Sequence, residues 1–408
     1  MVNFKKIKTT AIILALIIIA FGAGWKSSAE YQSSSLILSS SPHSLSFTDS
    51  PLFEEVYQDL QTSFLKKEEL SDQKQLLYGA IKGMVSSLDD PYTVFLPPKD
   101  NQKFKEDMAG SFGGVGIKLG YKEKQLAVIA PLENTPAQKA GVQAGDLIIH
   151  IKDEEEKIDL DTLNISLTEA VEIIRGKRGH AIELTLLREG EREPIKANII
   201  RDEITIPRVT LNVIEKNNNK FAHIKLAQFG DNTIEQWKET VEKVNELKKQ
   251  NNFKGIILDL RNNPGGYLDS GIHVASEFIK EGAIVKQESR QQETKTFNTD
   301  HEGSLTEESL VVLVNRGSAS ASEIVAGALR ERRGTKLIGE TTFGKGTIQQ
   351  SKDLSKNGSL HITIARWLLP SGQAIHKIGI KPDIEIESDG NEENDPYLER
   401  AINELKNN

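Results

Sequence analysis

From residue 221 onward the chain alternates short apolar runs with stretches at helical spacing, and this alternation constrains the fold more than any other feature. Residues 221–226 precede a helical stretch at 233–249, 255–260 precede 268–280, and 310–315 precede 321–332, with a further run at 336–339. Apolar runs this short suit strands of a parallel sheet buried on both faces, with helices as the crossovers. In open sheets of this kind the working crevice lies at the carboxyl ends of the strands. Three glycine-rich turns fall there: 259–266 (DLRNNPGG), 315–323 (NRGSASASE) and 339–346 (GETTFGKG).

The chain is 408 residues long, too long for one ordinary core, so two or three domains are expected. Lys5, Lys6 and Lys8 precede the uncharged run 11–25 (AIILALIIIAFGAGW), which reads as a secretory signal or a retained signal anchor. The run falls short of the ~20 residues of a full span unless its flanks are counted. Ser27-Ser28-Ala29 is a weak cleavage site, so retention is the expectation. The lysines would face the cytoplasm and the remainder the outside. Residues 1–26 are thus the anchor to the cytoplasmic membrane, and the Ser-rich 27–50 a linker. Residues 51–104 form a helical region with two amphipathic helices broken near Ser71-Asp72 and ended by Asp89-Asp90-Pro91. Strands at 115–119, 126–130, 146–151, 182–187 and 195–200, with short helices at 136–140 and 167–174, make a compact, partly open β-module. Asp395-Pro396 starts a last helix within 391–408.

Formal net charge is −8; without the three leading lysines 48 basic side chains face 59 acidic ones, or −11. That balance excludes nucleic acid held through phosphate contacts. Cysteine is absent, which excludes disulfides, thiol nucleophiles, cysteine-ligated metals and a lipid-modified N-terminal cysteine. Any nucleophile must carry oxygen or nitrogen.

Ser318, Ser320 and Ser322 crowd one strand end just before a helix. A serine there gains from unpaired N–H groups and the positive end of the helix dipole; equally, one of the three could simply cap the helix. None of the eight histidines (His43, His150, His180, His223, His273, His301, His361, His376) falls in a convincing strand-end turn. Lys345, in a Gly-Lys-Gly turn, is the better base if burial lowers its pKa from about 10.4 to roughly 7–8. The same turn nearly spells a phosphate-binding loop, but Gly346 stands where Ser or Thr should ligate magnesium and a strand follows. A nucleotide is rejected.

The order of anchor, helices, β-module, Asn-Asn-Pro-Gly-Gly, Gly-Ser-Ala-Ser-Ala-Ser-Glu and Phe-Gly-Lys-Gly-Thr resembles the carboxy-terminal processing peptidases, the tail-specific proteases. Leu88-Asp89-Asp90-Pro91-Tyr92 and Gly379-Ile380-Lys381-Pro382-Asp383 carry the same resemblance. It implies an α+β multi-domain fold: a PDZ-like β-module at 105–190 inserted before an α/β crotonase/Clp-like protease core at 191–390, with N-terminal helices ahead. It also implies a serine endopeptidase with Ser320 as nucleophile, Lys345 as base, Gln349 orienting the amine, and an oxyanion hole from the N–H groups of Gly266 and Ala321. Phe112, Gly113, Gly114, Val115, Gly116 and Ile117 become the loop that receives a C-terminal carboxylate, with glycines giving unusual dihedrals and Val115 and Ile117 lining an apolar pocket. Arg175, Lys177 and Arg178 read as a solvated turn rather than a regulatory contact. No metal or cofactor is expected, and the partners are proteins or peptides with exposed C-termini. A homodimer through the apolar stripes of the N-terminal and C-terminal helices weighs equally with those helices folding back on the core. The rival function is a silent PDZ scaffold that binds protein C-termini.

Overall fold

A computed structural model describes residues 51–122, 124–290, 292–386 and 395–406. The expected anchor and linker lie outside the described residues. Helices α1 (Pro51–Ser63) and α2 (Gln73–Ser86) come first, then strand β1 (Val94–Leu96) and helix α3 (Pro98–Ala109). The break falls where expected, because Asp72 caps α2 by accepting from the N–H groups of Lys74 and Gln75 at 3.0 Å each. The apolar stripe of α1 stays on the surface: Leu52, Phe53, Val56 and Leu60 are exposed and no residue of α1 is buried.

Strand β2 (Ser111–Gly114) leads into the β-module: β3 (Ile117–Lys122), β4 (Gln125–Pro131), α4 (Pro136–Lys139), β5 (Leu147–Asp153), β6 (Ile158–Asp161), α5 (Leu167–Ile174), β7 (Ala181–Leu187) and β8 (Ile195–Ile200), followed by β9 (Asp202–Thr205). Strands β3-β4-β5-β7-β8 form one antiparallel sheet, with β6 on β5, around a core including Val115, Leu126, Ile148, Ile151 and Leu184. Strand β8, expected from the sequence at 195–200, pairs with β7 along its whole length, and β9 pairs with β2, so the sheet runs past residue 190, the bound given for the PDZ-like module. The reason is the hairpin turn at Glu189–Pro194, which reverses the chain rather than leading it away.

The second half is β10 (Val209–Lys216), β11 (Asn219–Leu226), α6 (Thr233–Leu247), β12 (Phe253–Asp259), α7 (Leu268–Ser276), β13 (Ala283–Ser289), β14 (Gln292–Asn298), β15 (Leu310–Val314), α8 (Ala321–Arg333), β16 (Lys336–Gly339), β17 (Thr347–Asp353), β18 (Ser359–Leu368), β19 (Ile384–Glu385) and α9 (Pro396–Lys406). One sheet runs β10-β11-β12-β15-β16-β19, parallel from β11 onward. Its inner strands β12 and β15 are buried on both faces, successive side chains pointing to opposite sides. Leu310, Val312 and Val314 join Ile256 and Leu258 under α7 and α8, while Val311, Leu313 and Ile257 face α9. Tyr397, Ala401, Ile402 and Leu405 of α9 are buried there, each large apolar side chain contributing about 1.5–3 kcal/mol. That stripe is spent inside the molecule, so a dimer cannot use it.

The other sheet runs β1-β18-β13-β14, with β17 on β18. Strand β1 thereby inserts the N-terminal region into the core, pairing Val94 with His361 and Leu96 with Ser359.

Candidate active site

The turn between β15 and α8 is held from three sides. Ser318 Oγ donates to the Leu260 carbonyl at 2.7 Å and Ser322 Oγ to the Asn263 carbonyl at 2.8 Å, both buried. Those two hydroxyls stitch this turn to the 259–266 turn. The middle serine, Ser320, is also buried, at the N-cap of α8, with φ 55° and ψ −115°. Such a conformation costs a non-glycine residue about 1–3 kcal/mol. It persists because the turn is pinned: Ala319 N donates to Asn263 O at 3.0 Å, and Ser320 N to Glu323 Oε2 at 2.9 Å.

The partner turn crowds against it. Gly265 has φ +96°, and a Cβ built there would stand 2.7 Å from Ser320 Cβ and 3.0 Å from Ala321 N, so only glycine lets the two backbones come this close. Gly265 N is fixed by Asn263 Oδ1 at 2.9 Å, and Phe229 brackets the next residue, its N donating to Gly265 O and its O accepting from Tyr267 N. Among the described residues neither Gly266 N nor Ala321 N donates to a protein acceptor.

Glu323 was read from sequence only as part of a cap, yet it joins the second and third turns. Its buried carboxylate accepts from Ser320 N at 2.9 Å, Lys345 N at 2.9 Å, Gly344 N at 2.7 Å and Thr342 Oγ1 at 2.5 Å. Burial pushes its pKa up, against the pull of those four donors. With all four acceptor positions used, a proton on it would displace one of them, so the geometry favours the carboxylate. The Ser320-x-x-Glu323 spacing marks only the capping-box bond to Ser320 N; the other donors come from positions 19 to 22 residues away.

Lys345 is buried, at 2% exposure, with Nζ 5.1 Å from the centroid of the Tyr92 ring. Trp367 Nε1 donates to its carbonyl at 2.9 Å. Burial lowers its pKa to about 7; the negative charges of Glu323 and Asp90 oppose the fall. Asp90 itself is kept ionised: burial pushes it up, but hydrogen bonds from Thr363, Thr93 and Tyr92 N bring it below the ordinary carboxylate range. His361, assigned no part from sequence, is buried with Nε2 3.0 Å from Ser359 Oγ, and burial together with the charge of Lys345 lowers it to about 4. It is neutral at any pH where the lysine is.

Gln349 is fully buried on β17. Its Nε2 donates to Thr347 Oγ1 at 3.0 Å and Thr363 Oγ1 at 3.1 Å, and its Oε1 has no hydrogen-bond partner among the described residues. Beside Asp90 opens a cavity of about 850 Å3 walled by Val85, Val94, Phe95 and Phe104.

In the β-module, Phe112, Gly113 and Gly114 do not form a loop of unusual dihedrals. They lie in β2, paired with Ile204, Glu203 and Asp202, and of the three glycine and apolar residues that follow, only Gly116 has positive φ, +80°. Val115 packs into the module core rather than lining a pocket, and its carbonyl accepts from Ala137 N at 2.9 Å. Gly113 is needed for contact: a Cβ there would stand 2.1 Å from Gly176 O. The basic turn is not simply solvated. The Arg175 guanidinium lies 3.9 Å over the Phe112 ring and Arg178 Nε pairs with Asp202 at 2.7 Å. Phe112, Gly113, Val171 and Arg175 border a groove of about 1090 Å3 whose far wall is α3.

One group of histidine and acidic side chains among the described residues, His273, Asp300 and His301, gathers ligand atoms within 4.8 Å. It shares no residue with the site above.

A buried serine at a helix mouth and a buried lysine in the facing turn, behind a small antiparallel β-module, are parts from which a hydrolase with a recognition domain can be built. Residues 220–386 match peptidase family S41, residues 128–188 a PDZ domain, and residues 20–99 the N-terminal domain of the activating protease CtpB. The chain is 36% identical to the carboxy-terminal processing protease CtpA of Bacillus subtilis (strain 168), over 81% of this chain and 67% of that protein. It is 37% identical to a carboxy-terminal-processing protease of Bartonella bacilliformis, over 82% of this chain and 74% of that one. A solved putative S41 protease from Bacteroides fragilis shares the fold, with a TM-score of 0.56 at 15% identity, covering 86% of this chain and 97% of that one. The chain belongs to peptidase family S41, the carboxy-terminal processing proteases. It is a serine-type protease carrying a PDZ domain.

Proposed function

We propose that Ser320 and Lys345 are the catalytic dyad of an endopeptidase that cleaves near protein C-termini. The observation that carries this reading is a buried lysine, brought to about 7 by burial, whose backbone N–H shares the Glu323 carboxylate with the backbone N–H of Ser320. Ser320 Oγ attacks the scissile carbonyl carbon while neutral Lys345 Nζ takes its proton. The Gly266 and Ala321 N–H groups, unspent on protein acceptors, stabilise the oxyanion. Collapse of the tetrahedral intermediate breaks the C–N bond, and the lysine returns its proton to the leaving amine. Water then attacks the acyl-enzyme with the lysine again as base. Gln349 Oε1 is the acceptor that would orient the amine.

The groove bordered by Phe112 and Arg175 would take the substrate tail, the guanidinium pairing with its terminal carboxylate. Residues 11–25 would hold the chain in the cytoplasmic membrane with the protease outside, so alkaline extraction should leave it in the membrane pellet. The exposed stripe of α1 is the surface through which a second copy would pack, read as a doubled mass in sedimentation.

The dyad is tested by incubating a denatured protein with the parental chain and with Ser320→Ala, and identifying fragments by mass spectrometry. The parent should cleave and the variant should not, while circular dichroism shows the same fold. Cleavage by Ser320→Ala at the parental rate would remove Ser320 from the mechanism. Tail binding by the parent with no turnover would favour a silent scaffold.

A further inference from the structure

Away from the dyad, two histidines stack on each other: the rings of His273 and His301 have centroids 4.3 Å apart and planes inclined by 32°. Both aim Nδ1 at one carboxylate. His273 Nδ1 lies 3.0 Å from Asp300 Oδ2, and His301 Nδ1 lies 2.6 Å from Asp300 Oδ1. Asp300 is itself positioned, its backbone N donating to the buried Ser276 Oγ at 3.1 Å.

The other nitrogen of His301 is also engaged. Its Nε2 lies 3.2 Å from Oε2 of Glu277. Glu277 is buried, and its Oε1 accepts from both Ser304 N at 2.6 Å and Ser304 Oγ at 2.8 Å. Both nitrogens of His301 thus face a carboxylate, Asp300 at 2.6 Å and Glu277 at 3.2 Å, and a neutral ring carries only one proton, so one of the two nitrogens presents a lone pair; with the proton on the Glu277 side, that lone pair is Nδ1 facing Asp300. A lone pair and a carboxylate oxygen at hydrogen-bond distance require a cation between them. That cation is either a proton, which makes His301 an imidazolium stacked on a second histidine facing the same acid, or a metal ion that serves all three groups at once. A buried carboxylate behind a ligating histidine is the usual outer shell of a metal site.

We propose that His273 Nδ1, His301 Nδ1 and Asp300 form a site for a divalent transition metal of the zinc class, with Glu277 as the outer carboxylate. Two imidazoles and one carboxylate suit zinc rather than magnesium or calcium, which prefer oxygen ligands throughout. Zinc bonds of ~2.0–2.2 Å set tetrahedral ligand atoms about 3.4 Å apart, so within a cluster already inside 4.8 Å the Nδ1 to Asp300 separations of 3.0 and 2.6 Å must open slightly to admit the ion. The side chains of His301 and Asp300 are partly exposed, which leaves them room to move. The metal would cross-link the end of α7 to the segment leaving β14, and α7 begins directly after the Gly265-Gly266 turn.

The test uses the full-length chain, stripped with a chelator and dialysed against zinc chloride alone. The parent should retain one zinc per chain by elemental analysis and show a Tm that rises with zinc concentration. His301→Ala and Asp300→Asn should lose that equivalent, and Glu277→Gln should bind about 10–100-fold more weakly. His150→Ala, which removes a different histidine paired with acids, should keep it. A parent that takes up no zinc, or a His301→Ala chain that keeps its equivalent, overturns the proposal and leaves a proton-bridged histidine pair.

Discussion

Replacing Lys345 with methionine should make the protein inactive and, at neutral pH, more stable. Methionine keeps the length of the side chain and removes the amine. Burial lowers the folded pKa from 10.5 to about 7, so the folded state disfavours the proton that the unfolded chain holds. At 1.36 kcal/mol per unit, the penalty at about pH 7 is about 4 kcal/mol. Below the folded value both states carry the proton and the whole penalty applies. Between about 7 and 10.5 the unfolded chain alone holds it, so parental stability climbs with pH through this window and the penalty is gone above it. Urea unfolding at about pH 7 and again at about pH 10 measures the difference. At the lower pH the methionine variant should unfold later, with a Tm higher on the order of 10 °C; at the higher pH the two chains should converge. The parent's kcat/KM should rise with pH through an apparent value near 7, since only the neutral amine accepts a proton. A variant no more stable than the parent at neutral pH, or a gap of equal size at both pH values, would show that the amine is solvated and the reasoning wrong.

Glu323→Gln places an amide NH2 against donors that now meet carboxylate oxygens, and each buried N–H left without an acceptor costs about 1–3 kcal/mol. Peptide hydrolysis should fall at least about tenfold in kcat, measured on a quenched fluorescent substrate, with unfolding shifted to lower urea. Gly265→Ala forces a side chain into positive φ and against Ser320 Cβ; kcat should drop about 100-fold, as expected for a displacement of about 1 Å, and phosphonylation by a serine-directed phosphonate should slow in parallel.

The protease core was the most legible part of the chain. Val311, Val312 and Leu313 are buried on alternating faces of one sheet, so the run has no polar side and reads as a parallel strand. The hairpin of β13 and β14 has no sequence signal, because Gln287, Glu288 and Ser289, like Glu293, Thr294 and Lys295, carry no apolar period; pairing of β13 with β18, and of β14 with β13, decides them. Strand β1 was invisible for a related reason, since three residues acquire strand geometry only from a partner some 265 positions away. At the site, the three serines ahead of α8 and the lysine of the Gly-Lys-Gly turn could be read as candidates, and only the family resemblance singled out Ser320. What no motif announced was the Glu323 clasp or the neighbourhood of Asp90, Tyr92 and His361, because these depend on where separate turns meet. Phe112–Gly114 pair as a strand rather than a loop because Gly113 serves close backbone contact, while the left-handed dihedral expected of this stretch falls on Gly116 alone.

Strand β1 also fixes how small a working enzyme can be. Thr93 Oγ1 accepts from Thr363 N at 3.0 Å, and the hydroxyl of Thr363 in turn holds the Gln349 amide. The surroundings of Gln349 are therefore partly laid by residues that precede the β-module. A chain trimmed to begin at that module would keep Ser320, Lys345 and Gln349 and lose the strand that braces them, so residues 93–96 are a structural member of the protease core.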